Sequence, residues 1–144
     1  MKKSRFTTYY YKRRGSGRCL GCSSAEEIGT DVYCSVCKKK RSEGAQKRNQ
    51  ILKQTVIEHY GNKCAWVGCD VADLDMLSID HIENDGAQEK KVYRSAGFNF
   101  YRYVIKNGFP EGKYQVLCFN HQWKKRMMSL RNEKLPVVTK KAVA

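Results

Sequence analysis

Hydrophobic residues in this chain come in short groups, and the first group predicts a helix. Over residues 38–60 the pattern begins highly charged and then becomes amphipathic, with apolar side chains at four-residue spacing. These apolar positions are Leu52, Val56 and Tyr60, with Ile57 beside them. Gly44 is a candidate break, and Gly61-Asn62 supplies the stop. We expect this helix to join two metal-stabilised modules.

The second half of the chain predicts two strands and two helices. Residues 76–81 read as a short strand with alternating apolar positions, and residues 114–118 read as a second one. Asn84-Asp85-Gly86 predicts a turn, and a polar stretch without regular structure follows it. Helical spacing returns over residues 98–107, and a basic helix over residues 119–131 comes last.

Charge changes this picture most. The chain has 144 residues, with 28 Lys and Arg against 14 Asp and Glu, so its net charge is +14. A charge of this size favours a polyanionic partner, and nucleic acid is the first candidate. The alternative is a solvated basic surface or a binder without chemistry. The length predicts one ordinary domain or two very small ones. The short apolar runs do not suggest one large core, and small units of this kind usually need disulfides or metals.

The 7 cysteines favour metal sites over disulfides. Their odd number argues against a pure disulfide framework, and no signal peptide or apolar run of membrane-spanning length is visible. We therefore expect a cytoplasmic protein that contacts no membrane, uses no small-molecule cofactor and keeps its cysteines reduced to bind Zn²⁺.

Two CxxC pairs predict the first zinc site. Cys19 and Cys22 are separated by eleven residues from Cys34 and Cys37. Each pair forms a knuckle whose thiolates face one ion, so the two pairs complete a tetrahedron. The alternative is a pair of redox motifs, which lacks a surrounding βαβ pattern.

The remaining cysteines predict a second zinc site. His121 follows Cys118 by three residues, as the second cysteine of a CxxC pair would, and imidazole replaces thiolate readily in structural zinc sites. With Cys64 and Cys69 these residues make a site of three thiolates and one imidazole. The alternative is that the three cysteines are buried thiols and that His121 faces a catalytic ion.

Asp80-His81, at the end of the first strand, is the candidate for chemistry. A carboxylate can hold a divalent cation while a neutral imidazole activates water, which suits hydrolysis of a phosphodiester. The alternative is a histidine that closes a strand with ordinary hydrogen bonds.

Two basic segments are candidates for contacts with phosphates. Residues 1–18 place Arg13 and Arg14 after three tyrosines, whose rings can stack on bases, although a disordered solubilising tail is the alternative. The helix after the second strand would hold the phosphate backbone with three further cations. These are Lys124, Lys125 and Arg126.

Together these motifs resemble a known family. Ser78-Ile79-Asp80-His81-Ile82, closed by Val116-Leu117-Cys118-Phe119-Asn120-His121-Gln122 and Lys125, is similar to the HNH endonucleases encoded by phages, which have the ββα-metal fold. The resemblance spans about residues 64–125 and includes a connector similar to residues 100–112. It implies cleavage of DNA, most simply double-stranded, in the host cytoplasm. It also implies His81 as general base and Asp80 as a ligand of catalytic Mg²⁺ or Mn²⁺.

The chain departs from the family pattern where the second ligand of the catalytic cation is expected. His121 stands at a cysteine position of that pattern, and Gln122 stands at the ligand position. A glutamine oxygen coordinates a hard cation more weakly than a carboxylate does. Asn120 and His121 are the alternative ligands.

These observations predict a small, zinc-stabilised α+β protein in which a helix joins an N-terminal zinc ribbon or knuckle module to a ββα-metal core. The predicted order is an arm over residues 1–18, a zinc module over 19–43, a linker helix over 44–62, a nuclease domain over 63–131 and a tail over 132–144.

The predicted function is a metal-dependent endonuclease that nicks or cuts DNA. The alternative is a two-zinc nucleic-acid-binding protein with weak or no activity. A zinc scaffold for a protein partner would explain neither the charge nor Asp80-His81.

Overall fold

The computed structural model describes residues 16–24, 31–93 and 98–133 of the protein. The chain divides into two compact units, Met1–Arg48 and Asn49–Ala144. The predicted arm lies outside the described residues up to position 15, and so does the predicted tail from position 134 onward.

The helix α1 spans Ser35–His59, so it begins earlier than predicted and crosses the boundary between the two units. It continues through Gly44, because a single glycine costs about 1 kcal/mol in a helix and strong helix formers surround this one. It ends as expected, since Gly61 and Asn62 adopt φ angles of 110° and 53°. The predicted linker over residues 44–62 is therefore the second part of one longer helix.

The sheet of the second unit has two antiparallel strands. These are β1, Leu77–His81, and β2, Tyr114–Cys118, and they agree closely with the predicted strands. A short 3₁₀ helix, Leu74–Met76, precedes β1 and ends on the residue where the predicted strand began. The register places Asp80 opposite Gln115 and His81 opposite Tyr114, so the candidate catalytic pair lies at the end of the sheet.

Three further helices lie among the described residues of the second unit. They are α2, Gly86–Tyr93, α3, Phe98–Lys106, and α4, Phe119–Leu130. The helices α3 and α4 were predicted, whereas the prediction of a polar stretch without regular structure is wrong over α2. The predicted turn is present, with Asn84 at a φ of 58°. The Asp85 carbonyl then accepts hydrogen bonds from the amides of Gln88 and Glu89, and these bonds form the first turn of α2.

In the part of the second unit that the structure describes, the buried side chains form two small core clusters. One contains Ile57, Cys64, Leu77, Val116, Leu117 and Cys118. The other contains Val56, Tyr101, Val104 and Tyr114. The amphipathic end of α1 therefore contributes one residue to each cluster, which confirms the face predicted for it. Among the residues that the structure describes, no helix has the length and apolar character needed to cross a membrane.

Candidate metal centres and the adjoining groove

The first metal centre lies in the first unit and contains the four predicted cysteines. The Sγ atoms of Cys19, Cys22, Cys34 and Cys37 all lie within 4.8 Å of one another. Cys22 Sγ and Cys34 Sγ are 3.7 Å apart. Zn–S bonds of about 2.3 Å in a tetrahedron place two sulfurs about 3.8 Å apart, so this cluster has the spacing that a zinc ion requires.

Backbone amides at the first centre favour the ionised, thiolate form of Cys19. The amides of Gly21 and Cys34 each donate a hydrogen bond of 3.3 Å to Cys19 Sγ. The Cys34 amide is the main reason why the pKa of Cys19 falls to about 6. A side chain at Gly21 would place its Cβ 2.7 Å from Cys37 Sγ, so this knuckle has room for glycine alone. The tight turn therefore brings backbone donors to the sulfurs.

The second metal centre lies in the second unit and contains Cys64, Cys69, Cys118 and His121, whose ligand atoms also lie within 4.8 Å of one another. His121 Nδ1 is 3.2 Å from Cys118 Sγ and 3.5 Å from Cys64 Sγ. Within the described residues His121 thus groups with the three cysteines, and this position favours the predicted second zinc site over a role at a catalytic ion. Both groups of residues are able to hold zinc, as the cysteine spacing predicted.

The second centre connects a loop to the junction of β2 and α4. The Cys118 amide donates a hydrogen bond of 3.3 Å to Cys64 Sγ, and the Ala65 amide donates one of 2.8 Å to the Val116 carbonyl. The ring of His121 stacks on Trp66 with 4.8 Å between centroids and 12° between planes. Burial raises the pKa of Cys64 to about 11, so a metal at this centre has to displace its proton.

An open groove of about 770 Å³ lies beside β1 and α4. The side chains that line it include most of the residues singled out for catalysis or phosphate binding. These are Asp80, His81, Gln122, Lys125 and Arg126. The tertiary structure therefore brings together residues that are about forty positions apart in the chain.

The carboxylate of Asp80 is held by two donors. Its Oδ2 accepts hydrogen bonds from Gln115 Nε2 over 2.7 Å and from Lys125 Nζ over 2.6 Å. Lys125 also donates to the His81 carbonyl and is only 4% exposed. This corrects the expectation for Lys125, which lies inside an ion pair and is not a surface cation for phosphates. Both side-chain bonds of Asp80 within the described residues end on Oδ2, which leaves Oδ1 for a cation or water.

The imidazole of His81 has a partner that the sequence reading missed. Its Nε2 lies 2.6 Å from Glu89 Oε2, and Glu89 is only 6% exposed. Lys113 Nζ donates to Glu89 Oε1 over 2.6 Å, and the hydroxyl of Tyr114 is 2.7 Å from both carboxylate oxygens. The sequence signal for this contact is weak, since Glu89 is one acid in the first turn of a short helix.

The two candidate ligands at the start of α4 differ in their surroundings. Gln122 Nε2 donates to Ser78 Oγ and, over 3.5 Å, to the Ile79 carbonyl. Its amide nitrogen is thus directed at β1, which leaves the amide oxygen as the atom that can coordinate a cation. Asn120 is exposed on the same helix and does not line the groove.

The other residues predicted to contact phosphates do not lie together in the groove. Arg126 lines the groove, and its Cζ lies 5.8 Å from the centroid of the exposed Trp123 ring. Lys124 is exposed with Nζ 5.3 Å from the centroid of Trp66. Arg13 and Arg14 lie outside the described residues.

Comparison of the chain with protein-family models, with curated proteins and with solved structures finds no match in any of the three.

Proposed function

We propose that this protein is a divalent-metal-dependent endonuclease of the HNH type that hydrolyses phosphodiester bonds in DNA. The observation that carries the proposal is the position of Asp80, His81 and Gln122 along one open groove. The order of β1, β2 and a helix that follows β2 directly also supports it, because this is the order that the family resemblance implies.

His81 is the general base in this proposal. It closes β1, lines the groove and takes a proton from the water that attacks the phosphorus. A neutral imidazole is the side chain best suited to accept that proton near neutral pH. The proton acceptor thus lies at the end of a strand, next to Asp80 in the chain.

Asp80 and Gln122 are the residues that would hold Mg²⁺ or Mn²⁺. Each has an oxygen that its described hydrogen bonds leave for a hard cation, and both residues line the groove. A cation bound there stabilises negative charge on the phosphate and on the leaving 3′ oxygen. Lys125 keeps Asp80 in place from the buried side.

DNA is the partner that the charge of the chain supports best. The net charge is +14, and Arg126 is one of the residues that line the groove. Contacts from such groups to phosphates position a strand without reading its bases.

A second candidate is a two-zinc nucleic-acid-binding protein with weak or no activity. Two observations favour it, namely the pairing of Asp80 Oδ2 with Lys125 and the amide of Gln122 at the ligand position. Both reduce the negative charge available to a divalent cation.

A supercoiled-plasmid assay tests the proposal. Zinc-loaded protein is incubated with plasmid in the presence of Mg²⁺, of Mn²⁺ or of neither, so that the structural zinc is retained in every arm. We expect nicked or linear product only with the added cation, and at least a hundredfold slower cleavage by His81→Ala. His59→Ala is the matched control, since His59 is exposed and stacks on Phe109.

Wild-type protein that retards plasmid on a gel but cuts it no faster than His81→Ala would support the second candidate and reject the nuclease.

A further inference from the structure

The ring of His81 is held on three sides. Its Nε2 lies 2.6 Å from Glu89 Oε2. Phe100 stacks on the ring with 5.2 Å between centroids, and Tyr114 meets it edge-on at 5.1 Å. These contacts leave the imidazole little freedom to rotate, so the direction of its second nitrogen, Nδ1, is determined by the fold.

Glu89 is itself fixed as a carboxylate. Burial raises its pKa, but hydrogen bonds from Lys113, Tyr114 and His81 outweigh burial and leave the pKa below its ordinary value. An ionised carboxylate only accepts hydrogen bonds. The short contact to His81 therefore requires the proton on Nε2, which leaves Nδ1 as the unprotonated nitrogen of the neutral ring.

Gly86 provides the space beside that nitrogen. A Cβ at this position would lie 2.9 Å from His81 Nδ1 and 3.0 Å from its Cε1. The first distance is shorter than real Cβ contacts and the second is unusually tight, while the contacts with Glu89, Phe100 and Tyr114 oppose a shift of the ring. Gly86 also lines the groove, so the absence of a side chain keeps Nδ1 open to molecules bound there.

We propose that Glu89 is the positioning residue of the candidate active site: it selects the imidazole tautomer in which His81 Nδ1 accepts the proton of the attacking water, and Gly86 keeps that nitrogen accessible. The inference rests on the proposed nuclease function. The proton moves from water to Nδ1 while the Nε2 proton stays between His81 and Glu89. The carboxylate remains ionised and stabilises the imidazolium that forms.

The first test measures the tautomer without reference to activity. Long-range ¹⁵N–¹H correlation spectra of the zinc-loaded protein distinguish the two ring nitrogens, and the chain has only 3 histidines to assign. At one fixed pH we expect His81 with its proton on Nε2 in the wild type. Glu89→Gln should give a mixture of tautomers, because an amide can donate as well as accept. A wild-type ring protonated on Nδ1 would overturn the inference.

The second test separates positioning from structural support. In single-turnover cleavage of a short duplex, Glu89→Gln should reduce the rate at saturating enzyme at least tenfold with DNA affinity unchanged. Glu89→Asp, which keeps the charge, should recover part of the loss. Equal rates for wild type and Glu89→Gln would remove Glu89 from catalysis while the nuclease function stands.

Gly86→Ala tests access to Nδ1, with Gly44→Ala as the control. Alanine favours helix over glycine at both positions, but the Cβ at Gly44 would meet only the flexible end of Arg48 at 3.3 Å. We expect at least a tenfold loss of rate in Gly86→Ala and wild-type rate in Gly44→Ala. Wild-type rate in both variants would overturn the role of Gly86.

If the wild type cleaves no DNA, the proposed function fails and the catalytic role of Glu89 fails with it, whereas the tautomer spectra still decide whether Glu89 orients His81.

Discussion

Lys125 Nζ lies 2.6 Å from Asp80 Oδ2, although the two residues are 45 positions apart in the chain. The lysine side chain is 5% exposed and the aspartate side chain 18%, so this is an ion pair within the protein and not on its surface. It connects α4 to the end of β1 at the edge of the groove. The same lysine also donates to the His81 carbonyl, so it holds the backbone of the candidate catalytic pair.

Replacement of Lys125 by Met should destabilise the protein strongly. Removal of one partner leaves the Asp80 carboxylate without its cation in a largely buried position, which costs roughly 3 kcal/mol. Lys124→Met should cost less than about 1 kcal/mol, because that ammonium is exposed beside Trp66. Urea unfolding with zinc present measures both values. Equally small losses of unfolding free energy in the two variants would show that the ion pair of Asp80 with Lys125 does not stabilise the protein.

The protein should bind two zinc ions per chain, one at each group of four ligands. Cys22→Ala should reduce the count to one, because three remaining sulfurs no longer close the tetrahedron. His121→Ala should do the same at the other centre. Atomic emission of dialysed protein gives the count, and two ions retained by either variant would contradict the assignment of that ligand.

Zinc affinity of the second centre should fall as the pH falls. Burial raises the pKa of Cys64 to about 11, so the metal-free thiol is protonated at neutral pH and zinc has to displace that proton. Burial lowers the pKa of His121, so the imidazole stays neutral there and does not add to the effect. The apparent Kd should therefore rise about tenfold per displaced proton for each pH unit lowered.

This pH dependence is measured on Cys22→Ala, which keeps the second centre alone, by competition with a chromophoric chelator at several pH values. A Kd that does not change between them would show that Cys64 is already a thiolate.

Leu117→Ala tests the core around the sheet. Leu117 is fully buried in the core cluster that also contains Ile57 and Leu77, and its truncation should cost about 3 kcal/mol. Ile51→Ala on α1 should change the unfolding free energy by less than about 0.5 kcal/mol, because Ile51 is 54% exposed. Chemical unfolding of the zinc-loaded variants compares them, and a similar loss in both would place the core elsewhere.

The sequence was sufficient to predict the two groups of candidate metal ligands and most of the secondary structure. The spacing of Cys19, Cys22, Cys34 and Cys37 is a property of the chain, and the four-coordinate preference of zinc then selects the partners. The strands β1 and β2 and the helix α3 follow from short-range periodicity, which depends on neighbours within a few positions.

Short-range sequence signals were not sufficient to predict the helix α2. Half of its residues are Gln, Glu or Lys and its hydrophobic face is weak, so periodicity could not separate it from a loop. The helix forms where Asp85 accepts the first backbone hydrogen bonds, and the bonds of Glu89 to His81, Lys113 and Tyr114 hold it against the strands. Lys113 and Tyr114 lie 24 and 25 positions from Glu89 in the chain, beyond the reach of short-range periodicity, so only the folded structure reveals these bonds.

The sequence alone determined which residues could carry the chemistry, namely the seven cysteines, His121 and the pair Asp80-His81. The tertiary structure decided which of several similar residues in a row are buried and which are exposed. Three cations in a row look equivalent in sequence, but successive side chains on a helix point about 100° apart, so one of them, Lys125, faces the sheet and its neighbours do not. Which side of a helix packs inward depends on all of its partners together, and that information is absent from any short stretch of the chain.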